Sequence, residues 1–245
     1  MTFAQARYKV TTSHEVAVSS RFDALEQRFK SQVSDTDFRF QAIARALGDL
    51  RGRRILDLGC GKGRFARRLT ERRACVTGLD GSIGMLAHAK GVACVRGTAL
   101  RLPFSSNAFD GVIAVEVLEH VPSAGLDAVI AECHRVLRAG APLIIVDKNA
   151  FALNAKRPWL PAAVVKWIDE RRGLWMYDRR GPVRERWFVP SAMSRKLRSH
   201  FDDVNVTFLL SNDESRHALF RAVPRARLMT MWTAIGRQMG QGGLA

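Results

Sequence analysis

Between residues 54 and 147 the chain alternates two patterns, and that alternation restricts its fold more than any other feature. Short, predominantly apolar runs (Ile55–Leu58, CVTGLD, VACVRG, GVIAV and PLIIVD) are separated by stretches of helical periodicity, RFARRLTERR, SIGMLAHAK and LDAVIAECHRVLRAG. A strand with one wet face alternates apolar and polar residues; these runs do not, so both of their faces must be covered. Parallel neighbours need a crossover between them, and the intervening helices supply it. The pattern therefore predicts a doubly wound, Rossmann-like α/β domain. Ser82 stands where an N-cap is expected, and Gly140 where the helix from Leu126 closes. DFRFQAIARALGDL, residues 37–50, adds a further helix ending near Gly48.

Outside this stretch the pattern weakens. Residues 1–35 are polar and weakly periodic, which predicts a flexible or partly helical lead-in to a single domain over 36–245. Residues 148–188 interrupt the alternation, with ten Lys/Arg against four Asp/Glu and four of the chain's five tryptophans. After them VPSAMSRKLRSHF reads as a helix, VNVTFLL as a strand, SRHALFRAVPRARLM as a basic helical segment and MWTAIGRQ as a last strand. No apolar run approaches the roughly eighteen residues of a membrane span, and the start MTFAQARYKVTTSHE lacks the apolar core of a secretory signal. A cytosolic protein, or one held at the periphery of a membrane, is expected. The four cysteines, Cys60, Cys75, Cys94 and Cys133, show no CxxC spacing, which argues against a zinc cluster or a disulfide framework. A formal charge of +16 suits a polyanionic partner, an anionic lipid surface or an acidic substrate, and equally a solvated arginine-rich surface.

The chemistry concentrates at strand ends. LDLGCGKGRF follows the first strand and opens a helix. Its glycines, Gly59, Gly61 and Gly63, allow a tight turn and the close approach of a ligand. Asp80 closes the next strand about twenty residues on, where an acid can bind both hydroxyls of a ribose. A dinucleotide loop places its third glycine one residue later, and Asp57 beside the loop would repel a pyrophosphate. A ligand carrying an ammonium or sulfonium suits that carboxylate better, which favours S-adenosylmethionine.

ILDLGCGKGRFARRL, VTGLDGSIGML, LRLPFSSNAFDGVIAVEVLEHV and VLRAGAPLIIVD resemble the successive motifs of class I S-adenosylmethionine-dependent methyltransferases, most nearly the ubiquinone-biosynthesis O-methyltransferases. The resemblance covers roughly residues 40–147. It implies a seven-stranded sheet in the order 3-2-1-4-5-7-6 with the last strand antiparallel, MWTAIGRQ filling that place, and a helical lid over 148–188. It also implies residue roles. Asp57, Gly59, Cys60 and Gly61 would line the methionine end of S-adenosylmethionine. Asp80 would hold the ribose with Gly81 and Ser82 beside it, Ala99 and Leu100 would flank the adenine, and Glu116 and Val117 would lie below the sulfur. One position departs from the pattern. Many relatives have Gly-Asp-Ala where this chain has Gly97-Thr98-Ala99, so the acid that accepts from the adenine amine is missing.

AVEVLEHVP, residues 114–122, follows the fourth strand and carries Glu116, Glu119 and His120. Carboxylates and an imidazole there fit a general base, a divalent-metal site or a cleft floor. The catalytic candidates are Glu119 and His120, with no metal assigned. The (N/D/S)PP(Y/F/W) loop and the Pro-Cys pair of base methyltransferases are absent, which argues against methylation of DNA bases. The expected acceptor is a small or lipid-like molecule, methylated at a hydroxyl oxygen. An RNA 2′-O-methyltransferase and a non-catalytic cofactor-binding module are the alternatives. In the lid, Trp159, Trp167, Trp175 and Trp187 fit an acceptor pocket, contact with an anionic membrane, or stacking against RNA, in that order. His14, His88, His134 and His200 read as ordinary helix or lead-in residues.

Overall fold

The computed structural model describes residues 13–177 and 183–236. The first twelve residues of the lead-in, positions 178–182 of the insertion, and the Arg237 and Gln238 expected to end the last strand lie outside the described residues.

Strands β1 (Arg54–Leu58), β2 (Cys75–Asp80), β3 (Ala93–Arg96), β4 (Gly111–Val115) and β5 (Pro142–Lys148) are parallel. A separate hairpin, β6 (Leu153–Asn154) with β7 (Arg157–Pro161), opens the insertion. Strands β8 (Asp203–Leu209) and β9 (Met229–Ile235) complete the main sheet, β9 running antiparallel between β5 and β8. The sheet order is β3-β2-β1-β4-β5-β9-β8. With the hairpin left out of the count, this is the expected 3-2-1-4-5-7-6 with its last strand reversed.

Successive strand residues feed two separate cores. Ile55, Ile113, Val115, Ile144 and Val146 face Phe40, Ile43 and Leu47 of α2 (Phe38–Leu47) and Phe65, Ala66 and Leu69 of α3 (Arg64–Glu71). Leu56, Leu58, Val112, Ala114, Leu143 and Ile145 face α5 (Leu126–Val136), α7 (Pro190–Leu197) and Trp232. Each Ile, Leu or Phe so buried contributes about 1.5–3 kcal/mol, so two full layers explain why the strands lack polar alternation. Asp37 caps α2 by accepting from the backbone of Arg39 and Phe40, and Ser82 caps α4 (Ile83–Ala87) by accepting from Met85.

Two stretches depart from expectation. Helix α5 stops at Val136, not at Gly140, because Leu137 turns extended and bridges to Phe109 beside β4. The basic segment before β9 is three short turns, Asn212–Ser215, Ala218–Ala222 and Pro224–Ala226, rather than one helix. Pro224 breaks the run, and Arg227 anchors the turns by donating to the carbonyls of Phe220 and Phe208 at 2.8 Å each.

The described part of the lead-in opens with a helix. Helix α1 (Ser13–Ala24) lies across the carboxyl ends of the strands although none of its residues is buried. Asp23 fixes it by accepting from the Ser82 hydroxyl and, at 2.8 Å, from the Gly84 amide. Gly81 permits this approach, since a Cβ there would stand 2.6 Å from the Ser19 hydroxyl. In the insertion, α6 (Ala162–Arg171) follows the hairpin.

Candidate active site

A cavity of about 510 Å³ opens at the carboxyl ends of β1, β2 and β4, roofed by α1. Its lining includes Asp57, Gly59, Cys60, Gly61, Asp80, Gly81, Ala99, Leu100, Glu116, Val117, Glu119 and His120. Ser82 is absent from that lining: it is 1% exposed, and its hydroxyl is spent on Asp23 and on capping α4.

The glycine loop hugs the sheet. Gly59 takes a left-handed φ of 67°, and a Cβ on it would stand 2.4 Å from the Val117 side chain. The Cys60 backbone borders the cleft, but its thiol turns away over Gly78, where a Cβ would meet it at 2.6 Å. Asp80 accepts from the amides of Gly61 and Ser82, each at 2.8 Å, which pins the loop to the end of β2. Burial raises its pKa, and the amides of Ser82 and Gly61 oppose the rise. Asp57, 2% exposed, accepts from Ala66 at 3.1 Å, and burial pushes its carboxyl up to about 7.

Beneath the far half of the cleft lies a buried ionic network around Lys148, the last residue of β5. Its ammonium stands 2.6 Å from Glu119, 3.2 Å from Glu185 and 3.7 Å from Glu116. Burial works against its charge, but Glu119, Glu116 and Glu185 outweigh burial and hold its pKa above the usual lysine value. Glu116 also binds Arg39 at 2.7 Å and Arg64 at 3.0 Å. Burial opposes ionisation of Glu116, yet Lys148, Arg39 and Arg64 bring its pKa down to about 2. Its φ of 58° is a left-handed conformation that costs a non-glycine residue about 1–3 kcal/mol, and three cations on one carboxylate hold it there. Glu185 accepts from the indoles of Trp187 at 2.6 Å and Trp175 at 3.1 Å.

Glu119 behaves differently. It is 2% exposed, its Oε2 has no hydrogen-bond partner among the described residues, and burial raises its pKa to about 8 despite Lys148. Asp147 is fully buried beside it, and burial and the neighbouring Glu119 raise its pKa well above the usual carboxylate range. His120 packs its Nδ1 3.0 Å from the Tyr177 hydroxyl and its Nε2 3.5 Å from Glu119. Burial lowers its pKa to about 4, so its ring is neutral at pH 7. Its carbonyl lies 2.9 Å from Nε2 of His14, and Phe22 of α1 meets its ring edge-on at 5.2 Å.

Sequence reasoning missed several of these groups. His14 lines the cleft from α1 and is no ordinary lead-in residue. Arg39 follows the Asp37 cap and Lys148 follows PLIIVD, so only their positions at element ends hinted at function. The four lid tryptophans do not line the cleft: Trp159 and Trp167 are 79% and 45% exposed, and Trp175 and Trp187 serve Glu185. Lys62, 8% exposed and lining the cleft, has no acidic partner among the described residues.

Residues 56–145, which hold the glycine loop and the acid ending β2, match the methyltransferase domain family. Solved structures that share this fold include an S-adenosylmethionine dependent methyltransferase from Mesorhizobium loti, which aligns with a TM-score of 0.59 at 23% identity over 82% of this chain and 99% of that one. The chain is 34% identical over 152 residues to a ubiquinone biosynthesis O-methyltransferase of Alkalilimnicola ehrlichii, a match covering 56% of this chain and 60% of that relative. It is 37% identical over 109 residues to a sterol 24-C-methyltransferase of Gibberella zeae, covering 40% and 28%. The chain thus spans less than two thirds of the length of these curated relatives. Among solved structures, phosphoethanolamine N-methyltransferase 2 of Haemonchus contortus in complex with S-adenosyl-L-methionine aligns with a TM-score of 0.65 at 17% identity, over 94% of this chain and 61% of that one. No described helix is long and apolar enough to cross a membrane.

The residues fit the cofactor's chemistry. Gly59 lets the loop lie against Val117, where a Cβ would clash, and Asp57 and Asp80 line the same cleft with carboxyls that would suit an ammonium and a ribose. Asp80→Ala is expected to weaken binding of S-adenosylhomocysteine by about 10- to 100-fold in calorimetry, since two loop amides lose their acceptor along with the ligand. Unchanged affinity would place the ribose elsewhere.

Proposed function

We propose that this protein transfers the methyl group of S-adenosylmethionine to a hydroxyl oxygen of a small or lipid-like acceptor. What carries the reading is one cleft that unites the glycine loop and Asp80 with Glu119 and His120. When bound, the cofactor supplies an electrophilic methyl on a sulfonium. Asp57, Gly59, Gly61 and Asp80 hold it, and Lys62 attracts the carboxylate of its amino-acid end. The α1 roof keeps water from the reacting atoms. Glu119 and His120 receive the proton that the acceptor hydroxyl gives up as the C–O bond forms and the C–S bond breaks. A relative named for ubiquinone biosynthesis supports O-methylation, and one named for sterols supports an apolar acceptor.

The Lys148 ammonium occupies the space among Glu116, Glu119 and Glu185 that a divalent ion would need, which favours proton transfer without metal assistance. The outer face of the lid supports peripheral contact with an anionic membrane: Trp159 and Trp167 are exposed beside Lys156, Arg157 and Arg171, the Arg171 guanidinium lying 4.2 Å above the Trp167 ring.

Incubation with labelled donor and separated lipid, small-metabolite and RNA extracts tests the reading, with and without chelator. Label is expected in the lipid or metabolite fraction and is expected to survive chelation. Label confined to RNA, or to none of the fractions, would overturn it. The cofactor's cationic end also predicts proton linkage. Burial holds the Asp57 carboxyl up at about 7, and a neighbouring cation favours its ionised form. Binding at pH 6 should therefore release protons, and affinity should rise with pH until about 7 and then level off. Calorimetry in two buffers of different ionisation enthalpy measures that release, and zero release at pH 6 would remove Asp57 from the cationic end.

A further inference from the structure

The end of the cleft formed by Ala99 and Leu100 has no acid of its own in the loop that builds it, which reads Gly97-Thr98-Ala99. A carboxylate nevertheless reaches it. The Thr98 hydroxyl donates to Glu15 of α1, and the same oxygen accepts from the Leu100 amide at 3.1 Å. With its proton and an acceptor site both used inside the loop, Thr98 has little left for a ligand. Glu15 has a further contact besides Thr98, and a carboxylate, with about four lone-pair sites, can hold several donors at once. Leu100, Val121 and Pro122 converge near Gly125 and line the cleft together with Val18, one turn along α1 from Glu15. An apolar slot with a carboxylate at its edge selects a flat heteroaromatic ring that carries an exocyclic amine. It disfavours the same ring carrying a carbonyl, whose oxygen would face the carboxylate.

We propose that Glu15, supplied by the capping helix, reads the 6-amino group of the cofactor's purine and makes α1 part of the cofactor site. The assignment rests on the S-adenosylmethionine reading above. It follows that the bound nucleoside ties α1 down: Glu15 meets it at one end of the helix, while Asp23 holds Ser82 and Gly84 at the other.

The test is calorimetry with S-adenosylhomocysteine and its 6-oxo counterpart, S-inosylhomocysteine, on the full chain and on Glu15→Ala and Glu15→Gln. The unmodified protein is expected to prefer the 6-amino ligand by about 10- to 100-fold. Glu15→Ala should lose most of that preference by weakening the 6-amino ligand alone. Glu15→Gln, whose amide can donate to a carbonyl, should narrow or reverse it, which a merely structural role for Glu15 would not do. Preference for the 6-amino ligand that persists unchanged in both variants overturns the assignment and leaves the cofactor reading intact. Failure of the unmodified protein to bind either ligand overturns the cofactor reading, and this inference with it.

Discussion

Lys148→Met is expected to destabilise the fold by about 3–5 kcal/mol, the cost of leaving buried carboxylates without their cation. Lys148 is the shared cation of Glu116 and Glu185, whose pKa values are lowered, and Glu185 is nearly inaccessible to solvent. The sign of the pH dependence follows from the depressed groups. Glu116 falls from 4.5 to about 2 in the folded protein, and Glu185 is also lowered. A depressed carboxyl contributes stability that is present above its unfolded pKa and is lost as pH falls through the folded one. The deficit of the variant should therefore be full above pH 4.5 and shrink towards pH 2. Glu119→Gln is the counter-case. Glu119 titrates near 8 and carries a proton at neutral pH, so an amide should cost about 1 kcal/mol or less. Urea denaturation of both variants across pH 3–8 measures the contrast. Equal costs at pH 7 would mean that Glu119 is ionised and that the network is balanced differently.

The parts legible in the sequence are those whose signals are local. GVIAV is a strand at its own boundaries because both of its faces are buried, and Ser82 and Gly48 cap helices because their side chain or backbone freedom suits those positions. The glycine loop and Asp80 stood out because their spacing is set by one strand, one turn and the next strand. Helix α1 left no such trace. It buries none of its residues, so it has no apolar stripe, and it is held by scattered polar contacts such as Arg21 to the Met176 carbonyl at 2.6 Å. Its importance exists only once the chain has brought residue 15 to residue 98. The lid tryptophans failed for the opposite reason. Aromatic composition suggests a pocket but does not say which side of a helix faces it, and α6 turns Trp167 outward.

The segment after β4 was legible as a site but not in its roles, since Glu119 and His120 differ only through what surrounds them. His120→Asn is expected to lower turnover of the labelled acceptor by about 100-fold or more, the usual contribution of a positioned base, while S-adenosylhomocysteine binding stays within about twofold. The separation of effects matters, because His120 meets Tyr177, Phe22 and Glu119, none of which belongs to the glycine loop or to Asp80. The pH–rate profile then divides the work between the two candidates. His120 is neutral above about 4, so a reaction relying on it alone shows no rising limb between pH 5 and 9. Glu119 becomes a base only as it ionises near 8, so a reaction relying on it gains rate through that region, and Glu119→Gln abolishes the gain. A flat profile with a large His120→Asn effect assigns the proton to the imidazole. A limb near 8 that disappears in Glu119→Gln assigns it to the carboxylate. Full turnover in both variants, with cofactor affinity intact, would reduce the segment to the floor of the cleft.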